Sequence, residues 1–140
     1  MTPKELDFIW RLNDYINTLD VFAHSNVGTL GINESLSVLA MPGGEETIYM
    51  DGTRDKFLNI QVNAKSQNQL NCIESLSLIA RKLENLVEGA ITSDNDSFNF
   101  QRATITSPLN IVAHDEQGYF IYALSISAKI TIYEGVDMVG

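Results

Sequence analysis

A single cysteine is present among the 140 residues, so no intrachain disulfide can form and nothing calls for an oxidising compartment. That residue, Cys72, sits in an apolar stretch read as helix, where a small buried hydrophobe is expected in preference to a nucleophile. Basic residues are scarce. Nine Lys and Arg against eighteen Asp and Glu give a formal net charge of −9, which argues against nucleic-acid binding because gripping phosphates takes a basic field. No run of ~18 apolar residues is present, so no membrane-spanning helix is expected. The opening MTPKELDF has neither the basic nor the apolar region of a signal peptide. A cytosol-like compartment is expected, or carriage elsewhere inside an assembly. Internal repeats and low-complexity tracts are also absent.

Hydrophobic and charged fractions of 44% and 19% suit a globular protein, and the length suits one domain over residues 1–140. Thr2-Pro3-Lys4-Glu5 forms a Thr-x-x-Glu capping box, predicting a helix from Pro3 to Leu19. Its two stripes are Leu6, Ile9, Trp10 and Ile16, and Phe8, Leu12, Tyr15 and Leu19; Trp10 is assigned to the core. Val21 to Glu34 reads as a linking segment. Ser35–Ala40 reads as a strand, followed by a Pro-Gly-Gly turn, a strand Thr47–Met50 and a turn Asp51–Asp55. Leu58, Ile60, Val62 and Ala64 alternate with polar residues on a further strand.

A second box, Ser66-Gln67-Asn68-Gln69, opens a predicted helix over Gln67–Glu88 with Gly89 as its left-handed cap. The remainder alternates as strands: Phe98 to Ile105, a break at Pro108, then a hairpin Leu109–His114 turning through Asp115–Gly118. The return strand keeps its period from Phe120 to Ile132, against a typical strand of ~5–6 residues. The order α-β-β-β-α-β-β-β predicts an α+β fold with two helices on a largely antiparallel sheet, mixed pairing being allowed, of about six strands.

The stretch MPGGEETIYMDGTRDK, Met41 to Lys56, invites comparison with a phosphate loop. Such a loop needs glycines, a lysine and a following helix whose amides face the anion. Gly43 and Gly44 are instead followed by Glu45, Glu46 and a strand, so a strand turn is the preferred reading. Asp94 and Asp96 resemble the start of a calcium loop but lack its glycine and distal glutamate. The two histidines, His24 and His114, have no metal or catalytic partners at motif spacing. No enzyme, cofactor or metal centre is expected. Three segments, Glu88–Asp96, His114–Gly118 and Tyr133–Gly140, hold Glu88, Asp94, Asp96, Asp115, Glu116, Glu134 and Asp137 and no base. If these loops converge, one surface is strongly negative; otherwise they serve solubility.

As a whole, Ala40 to Leu86 resembles the bacteriophage minor capsid family, treated as tail terminator proteins of long-tailed (siphovirus-type) phages of Gram-positive hosts. The resemblance rests on Met41-Pro42-Gly43-Gly44, the acidic pair, Asp51-Gly52-Thr53, Asn63-Ala64-Lys65-Ser66 and the Leu-rich helix. Gly118-Tyr119 and Ile121-Tyr122 extend it, to cover about Leu36 to Ile132. It implies a small structural protein that forms a ring, usually a hexamer, on the head-proximal end of the tail tube. The implied partners are other copies of itself, the tail tube protein and a head completion protein, with neither specific nucleic-acid binding nor a membrane. The implied location is the head–tail junction of the virion, with the host cytoplasm during assembly.

On this reading Pro42, Gly43, Gly44, Glu45, Glu46, Asp51, Arg54, Asp55 and Lys56 form a contact hairpin reaching a neighbour or the tube. The seven loop acids are candidates to line the lumen. Another head–tail connector or minor capsid protein, a small-ligand-binding regulatory domain of a bacterial cell, and an enzyme with convergent acids are the competing readings.

Overall fold

The uninterrupted alternation near the C-terminus is the centre of the structure. In a computed structural model describing residues 4–137, it forms β7 (Phe120–Ile132), with the bounds expected. β7 pairs antiparallel along its whole length with β5 (Arg54–Ser66), from Arg54 opposite Ile132 to Ser66 opposite Phe120. On its other side lies β6 (Phe98–His114), and beyond β5 lie β3 (Ser35–Met41) and β2 (Ser25–Val27). A short β4 (Glu46–Ile48) also pairs with β5. The result is a six-stranded sheet, antiparallel except where β2 runs parallel to β3. Two helices, α1 (Phe8–Asn17) and α2 (Gln69–Glu84), complete the α+β architecture. β1 (Lys4–Glu5) and β8 (Val136–Asp137) form a separate parallel pair. Among the described residues, no helix is long and apolar enough to cross a membrane.

Period two decides which face is covered. Ile60, Val62 and Ala64 of β5 lie opposite Ile126, Leu124 and Tyr122 of β7, and all six are buried. Leu36 and Val38 continue this layer on β3, and Phe98, Phe100 and Ala103 continue it on β6. Phe8, Ile9, Leu12 and Ile16 of α1 join it, as do Cys72, Leu76, Ile79 and Leu83 of α2, so one core joins both helices to one sheet face. Phe8 meets Phe98 edge-on, with ring centroids 5.2 Å apart, which ties α1 to the start of β6.

Several boundaries depart from expectation. The first helix begins at Phe8, because Lys4 and Glu5 are held extended against Val136 and Asp137. Thr2 and Pro3 lie outside the described residues. Trp10 is 58% exposed rather than core. It follows Ile9 by ~100° around the helix, and only the arc through Ile9, Leu12 and Ile16 faces the sheet. The linking segment contains β2, fixed where Asn17 both donates to the Ser25 carbonyl (3.0 Å) and accepts from its amide (2.8 Å).

The second helix begins two residues later than expected, at Gln69, and ends at Glu84. Its cap is Asn68, whose side chain accepts from the Leu70 amide, while Ser66 closes β5. Leu70 and Val87 are exposed. Gly89 has φ +79° but sits in the following loop, where its amide donates to the Phe100 carbonyl at 2.8 Å. Pro108 does not end its strand. β6 runs through it as an edge strand with register shifts on both sides of Ser107, a setting that tolerates the missing N–H.

Candidate functional site: a projecting hairpin and the cleft at its base

β3 and β4 lie end to end on the same edge of β5. Met41 pairs with Asn59 and Glu46 with Lys56, so Pro42–Glu45 face only Phe57 and Leu58. Pro42-Gly43-Gly44 is therefore a bulge, and the expected turn does not occur there: the chain continues in the same direction. A Pro has no N–H to give a ladder, and the glycines supply the unusual backbone that lets pairing resume. Gly44 has φ +100°, and a Cβ there would fall onto the Phe57 carbonyl oxygen. The Phe57 amide donates to the Glu45 carbonyl at 2.9 Å.

The reversal comes at Tyr49–Thr53. The Tyr49 amide donates to the Thr53 carbonyl, and the Asp51 carboxylate accepts from the Thr53 hydroxyl (2.7 Å) and amide (2.9 Å). Those bonds, the hydroxyl first, hold the Asp51 carboxyl below its usual range. Arg54 and Asp55, expected in the turn, already belong to β5. Asp55 anchors the turn to the sheet, accepting from Thr131 Oγ1 (2.7 Å), Tyr49 Oη (2.8 Å) and Gln101 Nε2 (3.2 Å). The Thr131 bond and then the Tyr49 bond lower the Asp55 pKa, and Asp55 in turn raises that of Tyr49. Arg54 donates to the Val136 carbonyl at 3.1 Å and lies 3.8 Å from Glu46.

Every residue from Leu39 to Asp51 is exposed. Ile48 and Tyr49 are among them, and Met50 is fully exposed. At the base of this hairpin, where it meets the start of α1, lies a cleft of about 360 Å³. Leu6, Ile9, Ala40, Met41 and Leu58 line it with Lys56, which makes no ion pair among the described residues.

The seven acids are divided between the two ends of the sheet. Glu88, Asp94 and Asp96 lie between α2 and β6, Glu134 packs beside Gly52, and Asp137 ends β8. Asp94 is 3.3 Å from Arg11. Asp115 and Glu116 turn the chain from β6 to β7, about 40 Å away along β7. The Asp115 carboxylate is occupied there by the Gln117 and Tyr119 amides. His114 stacks on Phe120 with centroids 4.0 Å apart. Cys72 is fully buried, and burial followed by the nearby Glu34 pushes its thiol up to about 11. Among the described residues, no three His, Cys, Asp or Glu side chains group as a metal site.

Two features escaped the sequence reading. One is the apolar tip, signalled only by Ile48-Tyr49-Met50 running into Asp51-Gly52. The other is a cationic spot on the uncovered sheet face. Arg102 and Lys129 are cross-strand partners, 5.8 and 5.6 Å from the Phe57 ring centroid. Their meeting depends on a register shift between Phe100 and Arg102 that residue types do not announce.

What the fold makes prominent is contact surface: a projecting apolar hairpin, an adjacent cleft and an uncovered sheet face, the equipment of a protein that builds assemblies. The profile of a family described as bacteriophage tail terminator protein matches residues 15–132, and the chain belongs to that family. It is a structural component of the phage tail, hence of the virion, and not an enzyme; membership associates it with the tail tube. None of the curated proteins matches the chain.

Proposed function

We propose that the protein closes as a ring, a hexamer, on the head-proximal end of the finished tail tube. There it stops polymerisation and presents the surface that docks onto head completion proteins. The phage would be long-tailed, of the siphovirus type, with a Gram-positive host, and the working location is the head–tail junction. The observation carrying this reading is the exposed segment Leu39–Asp51, which ends in the β4–β5 hairpin, on a chain of the terminator family. An exposed strand and turn with Ile48 and Met50 outward gains by burying them against a protein neighbour. The common core beneath both helices supports treating residues 1–140 as one domain.

In this ring the acids near β8, with Glu88, Asp94 and Asp96, would give the lumen a charge that repels passing DNA within a Debye length of ~8–10 Å. Asp115 and Glu116 would add charge at the other end of each subunit. The experiment is to mix the protein with growing tail tubes and measure tube length and end density by negative-stain imaging. Tubes of fixed length with a ring at one end are expected. Tubes that elongate unchanged, with bare ends, would overturn the proposal.

A further inference from the structure

We infer that the hairpin tip of one copy seats in the cleft at the hairpin base of the next copy. The inference rests on the ring reading and names the two surfaces that meet. The tip presents Ile48 and the fully exposed Met50, an adaptable side chain suited to irregular apolar gaps. The cleft, about 360 Å³, has walls from Leu6, Ile9, Ala40 and Leu58, and falls within the size range of pockets that enclose a guest.

Charge favours the same pairing. The turn Tyr49–Thr53 carries Asp51 and no base. The cleft lining carries Lys56 and no acid. A hairpin does not fill its own cleft: the pairing of β4 with β5 holds the tip in the ladder, and Ile48 and Met50 remain exposed. The occupant must come from another molecule, and the two surfaces differ. When each copy gives its tip to one neighbour and takes the tip of the other, the contact is heterologous and repetition by rotation closes a ring; used reciprocally, the same two surfaces would stop at a two-fold dimer, which gives no ladder.

Cross-linking between defined positions tests this. Met50→Cys and Ala40→Cys are made separately, one with a larger tag, and also together in one chain; the buried Cys72 stays in place. On mixing and oxidation, the tagged and untagged single variants should form a mixed disulfide dimer. The double variant should give a ladder ending at one ring size, free in solution or on tube ends. A Met50→Cys protein that links only to itself would overturn the inference. So would a double variant that remains folded by circular dichroism and still fixes tube length, yet gives no ladder on the tubes. That second result leaves the terminator reading intact. If the unaltered protein also fails to fix tube length, the terminator reading falls with it.

Discussion

Tyr49 Oη donates to the Asp55 carboxylate at 2.8 Å, joining the tip of the hairpin to the start of β5. The same carboxylate takes bonds from Thr131 and Gln101, so one side chain gathers β4's turn, β5, β6 and β7. Asp55→Ala leaves three donors without that acceptor. Because the site is largely solvated, the loss is expected at about 1 kcal/mol, seen as a small decrease in urea midpoint. Faster proteolysis between Ile48 and Thr53 should accompany it. Tyr49→Phe, which removes one bond, should speed that cleavage with little effect on the midpoint.

Acid should destabilise the protein through carboxylates that the fold holds ionised. Burial pushes the Asp7 carboxyl up, but hydrogen bonds from the Ser93 hydroxyl, the Asp94 amide and the Ser97 hydroxyl outweigh it and leave the pKa lowered. Asp55 is lowered as well. A depressed folded pKa contributes stability in full above the unfolded value of ~3.9, and that stability is lost as pH falls through the folded value. Urea midpoints should therefore be flat near neutrality and decline below pH ~4. Asp7→Asn should lower the plateau and make the acid decline shallower.

Gly44 should tolerate no side chain. Its φ of +100° is strained for any L residue, and the Phe57 carbonyl occupies the space of the Cβ. Gly44→Ala is expected to cost ~1–3 kcal/mol and to raise amide exchange at Phe57 and across β4. Gly89→Ala is the comparison. Its φ is +79° but nothing lies within 4 Å of the added carbon, so only the milder backbone term of ~1 kcal/mol applies.

Cys72 should resist thiol reagents in the folded state. Its sulfur is fully buried and its pKa is pushed up to about 11, so at neutral pH almost no thiolate exists to react. Reaction with a chromogenic disulfide should be negligible in buffer and complete in denaturant. Rapid labelling of the native protein would show that the α2–sheet interface opens easily.

Much of the fold was legible because alternation is a direct record of burial. Phe120–Ile132 announces its bounds, and Ile60, Val62 and Ala64 announce the covered face of β5. The helix starts misled because capping residues describe a local preference that pairing can override. Glu5 goes into a strand with β8, and Ser66 remains in β5. Pro42-Gly43-Gly44 illustrates a deeper ambiguity. The same residues suit a turn or a bulge, and only the register opposite, Met41 with Asn59 and Glu46 with Lys56, distinguishes them. Of the hairpin, the sequence drew attention to the charged and glycine positions. The exposed Ile48 and Met50 and the cleft beside Lys56 depend on where α1 packs relative to β3, β4 and β5, which no local pattern encodes.

β5 and β7 run side by side for thirteen residues without a register shift. Mechanically, force applied along these strands loads every backbone hydrogen bond of the pair together, as shear, whereas β1 and β8, paired at only two positions, can be peeled apart one bond at a time. A pull on the hairpin thus enters β5, the strand paired with β7 along its whole length. A pull between the hairpin and the Asp115 turn should therefore meet the shear resistance of thirteen paired positions together.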